Sequence, residues 1–216
     1  MKLFVFDHCP FCVKAMMPVG LKNLQVEIEA IQNHDVQARI DKVGANMVPI
    51  LQKEDGSFMA ESLDIVKYLD KSDNQPVLTP ATQANQINNW LSQASQVSHI
   101  LVFPRWLKIE LPEFQSQQAK NWFEKNKTKM IDMSFEKAFE QSNLAIEQMH
   151  AVLQKLDFIQ LPSDKNNQLS FDDINLFPFL RNLTVVKDLK LPNKAEEYVT
   201  QVSKLTKVHL YKDQAI

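Results

Sequence analysis

The chain has 216 residues, of which 44% are hydrophobic and 23% are charged, and its formal net charge is −2 at pH 7. This composition is typical of a globular protein, and the length suits one large domain or two small ones. The charge argues against a nucleic-acid partner, which normally requires a basic face. No stretch approaches the roughly 18 apolar residues of a membrane helix, and the apolar run before Asp7 is too short for a signal peptide. We therefore expect a cytoplasmic protein without a membrane partner.

The first part of the chain predicts alternating strands and helices. KLFVF (Lys2 to Phe6) is a short, nearly continuous apolar run, as expected of a strand buried on both faces. Apolar residues after Cys12 are compatible with a helix, and VEIEAI (26–31) alternates apolar and acidic residues as a second strand would. MVPILQK (47–53) and SFMA (57–60) flank the turn residues EDG and predict a hairpin.

A helix is predicted after this hairpin. ESLDIVKYLDKS begins with Ser62 as its expected N-cap. Three apolar residues then share one face of this helix: Ile65, Val66 and Leu69. Residues 1–72 thus predict the order β-α-β, a connecting loop or short helix, then β-β-α.

The remainder of the chain predicts helices. KSDNQPVLTP (71–80) lacks periodicity, so we divide the chain into a domain at 1–72, a linker at 73–82 and an all-helical domain at 83–216. In the helical part, apolar residues recur every three or four positions. The longest such stretches are 83–101, 117–131 and 135–156. Ser170 and Asp173 are spaced as a capping box at the start of a further helix.

Several aromatic residues of the helical part are expected in the core: Trp90, Phe103, Trp106, Trp122 and Phe123. Arg105 lies between two of them in the stretch FPRW. It is a candidate for a place near the active site or at a domain boundary.

Both cysteines of the chain lie in the short stretch DHCPFC, as Cys9 and Cys12. Such a pair has three interpretations: two buried apolar cysteines, half of a zinc site, or a redox dithiol. A zinc site needs two further ligands, and the five histidines are scattered along the chain. A C-x-x-C pair beside a β-α-β pattern favours the redox dithiol, and no metal is expected.

The position of Cys9 predicts its chemistry. The first strand leads directly into the cysteine loop and then into a helix, so Cys9 lies at a helix N-terminus, where unpaired amides stabilise a thiolate. Pro10 suits the first helical position because its missing N–H would have no partner there. Cys12, one turn further, is more shielded and placed to attack a disulfide formed on Cys9. His8 is expected to be exposed to solvent, with little influence on the thiolate.

Val48 and Pro49 form a second feature. Proline inside a strand is unusual except at an edge or a special bend. A cis peptide bond here would present the Val48 backbone beside the cysteine loop, where it could pair with an extended peptide.

These features together resemble a known family. CPFC after a first strand, VP opening the third strand and ES before the next helix are similar to the glutaredoxins of the thioredoxin superfamily. The opening MKLFVFDHCPFCVKA and the later LSFDDINLFPFLRNLT extend the resemblance over nearly the whole chain, to the two-domain bacterial glutaredoxin 2 family. The resemblance implies a thioredoxin-like α/β domain with a four-stranded mixed sheet, followed by an all-α domain, in a glutathione-transferase-like architecture. The family often has tyrosine where this chain has Phe6 and Phe11, which lack the hydroxyl that could contact glutathione or tune the thiolate.

The resemblance also implies a glutathione site. In it, Val48 pairs with the cysteinyl backbone of glutathione, while Glu61 and Ser62 receive the γ-glutamyl group. The expected glutathione-binding residues are Cys9, Pro10, Phe11, Val48, Pro49, Glu61 and Ser62. Three cations are equal candidates for the glycyl carboxylate: Arg39, Lys42 and Lys22.

We therefore expect a monomeric, glutathione-dependent thiol–disulfide oxidoreductase with Cys9 and Cys12 as catalytic residues. Its expected substrates are proteins with disulfides or bound glutathione, and its co-substrate is glutathione. A cysteine-type glutathione transferase or dehydroascorbate reductase remains an alternative, although such enzymes commonly lack the second cysteine. Two further alternatives are a non-enzymatic partner-binding protein of transferase fold and a glutathione-bridged iron–sulfur carrier. In this family a proline after the first cysteine, here Pro10, disfavours the iron–sulfur carrier.

Overall fold

The computed structural model, which describes residues 1–216, contains one four-stranded sheet. Its strands are β1 (Lys2–Val5), β2 (Glu27–Ala30), β3 (Ile50–Gln52) and β4 (Phe58–Met59). Their order is β2-β1-β3-β4, with β1 and β2 parallel and the other two pairs antiparallel. The sheet is therefore mixed, as the resemblance implied.

Three helices are interleaved with these strands: α1 (Pro10–Leu21), α2 (Val36–Val43) and α3 (Ser62–Lys71). Three of the four residues of β1, Leu3, Phe4 and Val5, are buried, on both faces of the sheet. Leu3 and Val5 join Cys12 of α1 and Ile65 of α3 in one core cluster, while Phe4 packs with residues of α2 on the opposite face. The expected apolar face of α3 is confirmed, since Ile65, Val66 and Leu69 are all fully buried.

The predicted N-cap of α3 is wrong. Ser62 is the first residue of the helix, and the N-cap is Glu61, whose side chain makes no capping hydrogen bond. Glu61 has a φ of 69°, in the left-handed region that a residue with a side chain seldom adopts. The chain therefore turns into α3 through the backbone of Glu61 rather than through a serine hydroxyl.

The rest of the chain is helical, as predicted. Its helices are α4 (Ala84–Trp106), α5 (Gln117–Ile131), α6 (Phe135–Glu140), α7 (Ser142–Leu153), α8 (Phe171–Leu183) and α9 (Asn193–Thr206). The stretch 135–156, which has helical periodicity, forms two helices. It divides at Gln141, which ends α6 by donating its N–H to Lys137 and also serves as the N-cap of α7. No helix combines the length and hydropathy needed to cross a membrane.

Two compact units divide the chain. The first comprises Met1–Val77, Glu110–Phe123 and Thr206–Val208, and the second comprises Leu78–Ile109, Glu124–Leu205 and His209–Ile216. The sequence-based division into 1–72, 73–82 and 83–216 remains a prediction. It does not coincide with these units, because residues 110–123 and 206–208 pack with the first of them.

Candidate active site

Cys9 is the N-cap of α1, as predicted. Its backbone is extended, Pro10 follows at the first helical position, and the Cys9 carbonyl accepts the N–H of Val13 at 3.0 Å. The N–H of Cys9 donates to the Phe6 carbonyl at 3.2 Å, which closes the loop between β1 and the helix. Cys9 is half-buried, and Cys12, one turn into α1, is completely buried.

The two thiols have opposite acidities. A hydrogen bond from the Cys12 thiol, the positive charge of His8 and the N–H groups of Cys12 and Phe11 together lower the pKa of Cys9 to about 6, although burial opposes them. Burial, the Cys9 thiolate and the negative charge of Glu113 raise the pKa of Cys12 well above its usual value. The arrangement therefore holds Cys9 as a thiolate and Cys12 as a thiol near neutral pH.

The prediction for His8 is wrong. His8 is buried, and its Nδ1 lies 2.5 Å from Oε1 of Glu113, which is itself fully buried. The sequence offers no signal for this contact, because Glu113 is 105 residues away along the chain. His8 was expected to be exposed, but a segment from the second half of the sequence, which contains Glu113, covers it.

The peptide bond between Val48 and Pro49 is cis. Val48 packs against the same core cluster as Cys9, which brings the residue to the side of the sheet that carries the dithiol. Its N–H and C=O take part in none of the backbone hydrogen bonds of the fold. They are therefore available to an extended peptide.

The start of α3 offers further donors. Asp64 and Ile65 donate their N–H groups to the Glu61 carbonyl, whereas the N–H groups of Ser62 and Leu63 make no backbone hydrogen bond. Glu61 is exposed and Ser62 is half-buried. Free N–H groups at a helix start are suited to a carboxylate.

The three cations that the sequence could not distinguish all have partners within the first unit. Arg39 is buried and donates to Asn46 Oδ1 at 2.7 Å. The ammonium of Lys22 lies 2.6 Å from Asp73 Oδ1. That of Lys42 lies over the Phe4 ring, 4.6 Å from its centroid.

Lys14 is a cation that the sequence analysis missed. Its ammonium lies 5.3 Å from the ring centroid of Phe11, which is half exposed beside Cys9. Burial lowers the pKa of Lys14, and the nearby Cys9 thiolate opposes this shift. Helical spacing from Phe11 was the available signal, since residues three apart on a helix are neighbours.

Arg105 belongs to the second unit. Its guanidinium is buried in the second unit and donates to the carbonyls of Leu101 at 2.6 Å and Ile216 at 3.0 Å. It therefore joins Ile216 to α4, and its suggested place near the active site or at a domain boundary remains a prediction. Trp122 is exposed rather than part of the core, whereas the other four predicted aromatic core residues are buried.

A thioredoxin-like sheet with a dithiol at the start of its first helix is the framework of thiol–disulfide exchange enzymes. The thiolate of Cys9 and the thiol of Cys12 supply the attacking and resolving groups of this class. No group of three or more histidine, cysteine and carboxylate side chains is arranged to hold a metal ion. The fold and the site thus define a thiol–disulfide oxidoreductase of glutathione-transferase-like fold.

Comparisons with known proteins identify the family. Residues 86–215 match the family described as "Glutaredoxin 2, C terminal domain", and residues 3–77 match "Glutathione S-transferase, N-terminal domain". Glutaredoxin 2 of Escherichia coli K12 is 38% identical over 217 aligned positions, which cover both chains completely. The chain belongs to the glutaredoxin 2 family and is an enzyme, a thiol–disulfide oxidoreductase of the glutaredoxin type.

Solved structures agree with this assignment. The crystal structure of glutaredoxin 2 from Salmonella typhimurium in complex with glutathione is 39% identical, has a TM-score of 0.91, and covers 100% of this chain and 98% of that one. The glutathione transferase GSTFuA2 from Phanerochaete chrysosporium has a TM-score of 0.63 at 13% identity, covering 95% of this chain and 98% of its own. This second likeness concerns the fold alone.

Proposed function

We propose that this enzyme reduces glutathione mixed disulfides and protein disulfides with glutathione as the electron donor, using Cys9 as the nucleophile and Cys12 as the resolving thiol. The observation that carries the assignment of roles is the opposite shift of the two pKa values. A thiolate is both the attacking and the better leaving form of cysteine. Cys9 is also the more exposed of the two thiols, so it is the one that a disulfide can reach.

With a glutathionylated substrate, the reaction proceeds in two exchanges. The Cys9 thiolate attacks the glutathione sulfur, forms a Cys9–glutathione disulfide and releases the substrate thiolate, which takes up a proton. The thiolate of a second glutathione then attacks the glutathione sulfur of this intermediate. Oxidised glutathione is released, and Cys9 returns as a thiolate.

With a protein disulfide, Cys12 takes part. Cys9 attacks one sulfur of the disulfide and releases the other as a thiolate. Cys12 loses its proton and attacks Cys9, which releases the second substrate sulfur and leaves a Cys9–Cys12 disulfide. Two molecules of glutathione reduce this disulfide and leave as oxidised glutathione.

We assign the glutathione site to the residues around this loop. The unused backbone groups of Val48 pair with the cysteinyl residue of glutathione, as an added strand would. The free N–H groups at the start of α3 receive the γ-glutamyl carboxylate, and Glu61 faces the ammonium with opposite charge. Pro10, Phe11 and Pro49 form the remaining apolar surface of the proposed glutathione site. The Salmonella relative that was crystallised with glutathione supports glutathione as the ligand.

The proposal includes a cytoplasmic location, where thiols are kept reduced. It also includes a monomer in which residues 1–72 form the catalytic domain and 83–216 the helical domain.

The test is glutathione-coupled reduction of a low-molecular-weight mixed disulfide by the unaltered protein, Cys9→Ser and Cys12→Ser. We expect Cys9→Ser to reduce the rate to the uncatalysed background, because no other thiolate can attack. Cys12→Ser should retain most of the rate, because the second glutathione resolves the intermediate. With a protein disulfide as substrate, Cys12→Ser should instead lose most of its activity.

Since each variant keeps one thiol, thiol counting on the denatured proteins is the control for correct substitution. Activity in Cys9→Ser would show that the assignment of the nucleophile is wrong. Absence of activity in the unaltered, fully reduced protein would overturn the proposed function.

A further inference from the structure

A buried pair of ionisable side chains lies beside the dithiol and has no role in the steps above. Oε1 of Glu113 lies 2.5 Å from Nδ1 of His8 and also accepts the backbone N–H of His8 at 3.1 Å. Glu113 is 0% exposed and His8 is 7% exposed. One carboxylate oxygen therefore holds both the side chain and the backbone of the residue that precedes Cys9.

The imidazole is held in place from three further directions. It stacks on Phe6, with the ring centroids 5.9 Å apart, and on Phe114 at 5.2 Å. The ring of Phe123 meets it edge-on, also at 5.2 Å. Because aromatic rings surround it, the imidazole has a fixed orientation relative to the cysteine loop.

The carboxylate is fixed as well. Glu113 belongs to a short 3₁₀ helix, Pro112–Phe114, and its carbonyl accepts the N–H of Asn33 at 3.0 Å. Its second carboxylate oxygen, Oε2, is buried without a hydrogen-bond partner. Burying a carboxylate costs free energy that an ion pair offsets only in part. The pair is thus a poor source of net stability, which favours a role in the chemistry of the site.

We propose that Glu113 is a positioning residue of the dithiol, which holds His8 protonated at Nδ1 and fixed in orientation, so that the cationic end of the pair acts on Cys9 and the anionic end on Cys12. This inference rests on the proposed function, in which Cys9 attacks and Cys12 resolves. The signs of the charges agree with it. The positive charge of His8 contributes to the lowered pKa of Cys9, and the negative charge of Glu113 contributes to the raised pKa of Cys12.

Other charged groups near the dithiol belong to different elements. Lys14 on α1 is a second cation beside Cys9, and Asp7 lies in the cysteine loop itself. Arg39 on α2 lies behind Phe6, 5.2 Å from its ring centroid. None of these groups is altered in the variants below. A change in the pH midpoint of Cys9 alkylation is therefore assigned to the pair of His8 and Glu113.

The experiment compares Glu113→Gln with the unaltered full-length protein. Glutamine keeps the shape and an acceptor oxygen but removes the charge that favours the imidazolium. The rate of Cys9 alkylation by iodoacetamide is followed as a function of pH, with the modified residue identified by mass spectrometry. We expect the pH midpoint of Cys9 alkylation to rise by about one pH unit. At pH values well below the midpoint, alkylation of the variant is then roughly tenfold slower than that of the unaltered protein. Glu110→Gln is the matched control, an exposed glutamate in the same segment, and should leave the midpoint unchanged.

Two results would overturn the proposal. A lower midpoint would mean that Glu113 acts on the dithiol only through its own negative charge and not through His8. An unchanged midpoint together with a lower melting temperature would mean that its role is structural only. Because alkylation measures the thiol and not turnover, both results are distinct from a failure of the proposed reductase activity.

A second variant keeps the test independent of how well Glu113→Gln folds. His8→Asn retains an N–H donor near the position of Nδ1 but carries no charge, and it should raise the midpoint similarly. The double variant His8→Asn/Glu113→Gln should raise the midpoint no further than either single variant, because the two residues act as one unit. Additive shifts of the midpoint would contradict the proposal.

Discussion

Two residues, about one helical turn, separate Cys9 from Cys12. Their surroundings nevertheless shift the pKa values of the two thiols in opposite directions. Cys9 receives hydrogen bonds from the Cys12 thiol and from two backbone N–H groups at the start of α1. Cys12 is enclosed in the apolar core, where the charged form is disfavoured, and it receives only the N–H of Phe6 at 3.3 Å. Position along the helix therefore favours one thiol as the nucleophile and the other as its proton-bearing neighbour, and the charges of His8 and Glu113 act in the same directions.

This asymmetry predicts the pH dependence of reactivity. The thiolate fraction of Cys9 rises as the pH rises through a pKa of about 6, so its alkylation rate should be half-maximal there and constant above about pH 7. A free thiol titrates at about 8.5. The measurement is the iodoacetamide rate between pH 4 and 9 on the reduced protein, with glutathione as the control thiol. A midpoint near that of glutathione would contradict the environment described for Cys9.

Capping decides where α8 begins. Ser170 donates its N–H to Asp173 Oδ2 at 2.7 Å, and its hydroxyl accepts the N–H of Asp172 at 3.2 Å, which confirms the predicted capping box. The Tyr198 hydroxyl donates to Asp173 Oδ1 at 3.0 Å, and burial raises the pKa of that phenol. The cap is thus joined to α9 through a buried carboxylate.

Ser170→Ala tests this contribution. Removing the hydroxyl deletes the capping acceptor, and we expect a loss of about 1 kcal/mol in the free energy of unfolding. For a chain of this size, that corresponds to a fall of roughly 2–4 °C in melting temperature, measured by circular dichroism. Ser92→Ala, at an exposed position inside α4, is the matched control and should change little. Equal melting temperatures of the two variants would show that the cap does not stabilise the protein.

At the scale of the whole molecule, the first compact unit depends on segments that are distant in sequence. Residues 110–123 supply Glu113 and two aromatic rings, and residues 206–208 pack against α1. The contact with α1 is made at Gly20, where an added Cβ would lie 1.7 Å from the Thr206 carbonyl oxygen. Glycine is therefore required at this position by the close approach of another backbone.

Gly20→Ala should therefore destabilise the protein. Inside an isolated helix, alanine would be favoured over glycine by about 1 kcal/mol. Here the methyl group would displace a backbone segment, and we expect a loss of up to about 3 kcal/mol in the free energy of unfolding, measured by urea denaturation. Gly56→Ala is the comparison, because it faces open space and its φ of 82° costs only roughly 1–2 kcal/mol. A Gly20→Ala variant as stable as the unaltered protein would contradict the packing of residues 206–208 on α1.

The sequence by itself determined the features that depend on neighbouring residues. The apolar run of β1, the hairpin, the apolar face of α3, the helix start at Cys9 and the capping box of α8 all follow from local patterns, and the structure confirms them. Their physical basis is short-range, because side-chain periodicity, missing N–H groups and dipoles act within a few residues. The order of the elements and the chemistry of the dithiol were predictable for the same reason.

Only the tertiary structure decided what surrounds the dithiol. His8 is buried because Glu113, Phe114 and Phe123 close over it, and no local pattern indicates that a segment more than a hundred residues later packs there. The N-cap at Glu61 likewise depends on how the chain leaves β4, since serine is the better cap by propensity. Burial and long-range pairing set the charge environment of a site, because desolvation and Coulomb interactions act through space and are independent of distance along the chain.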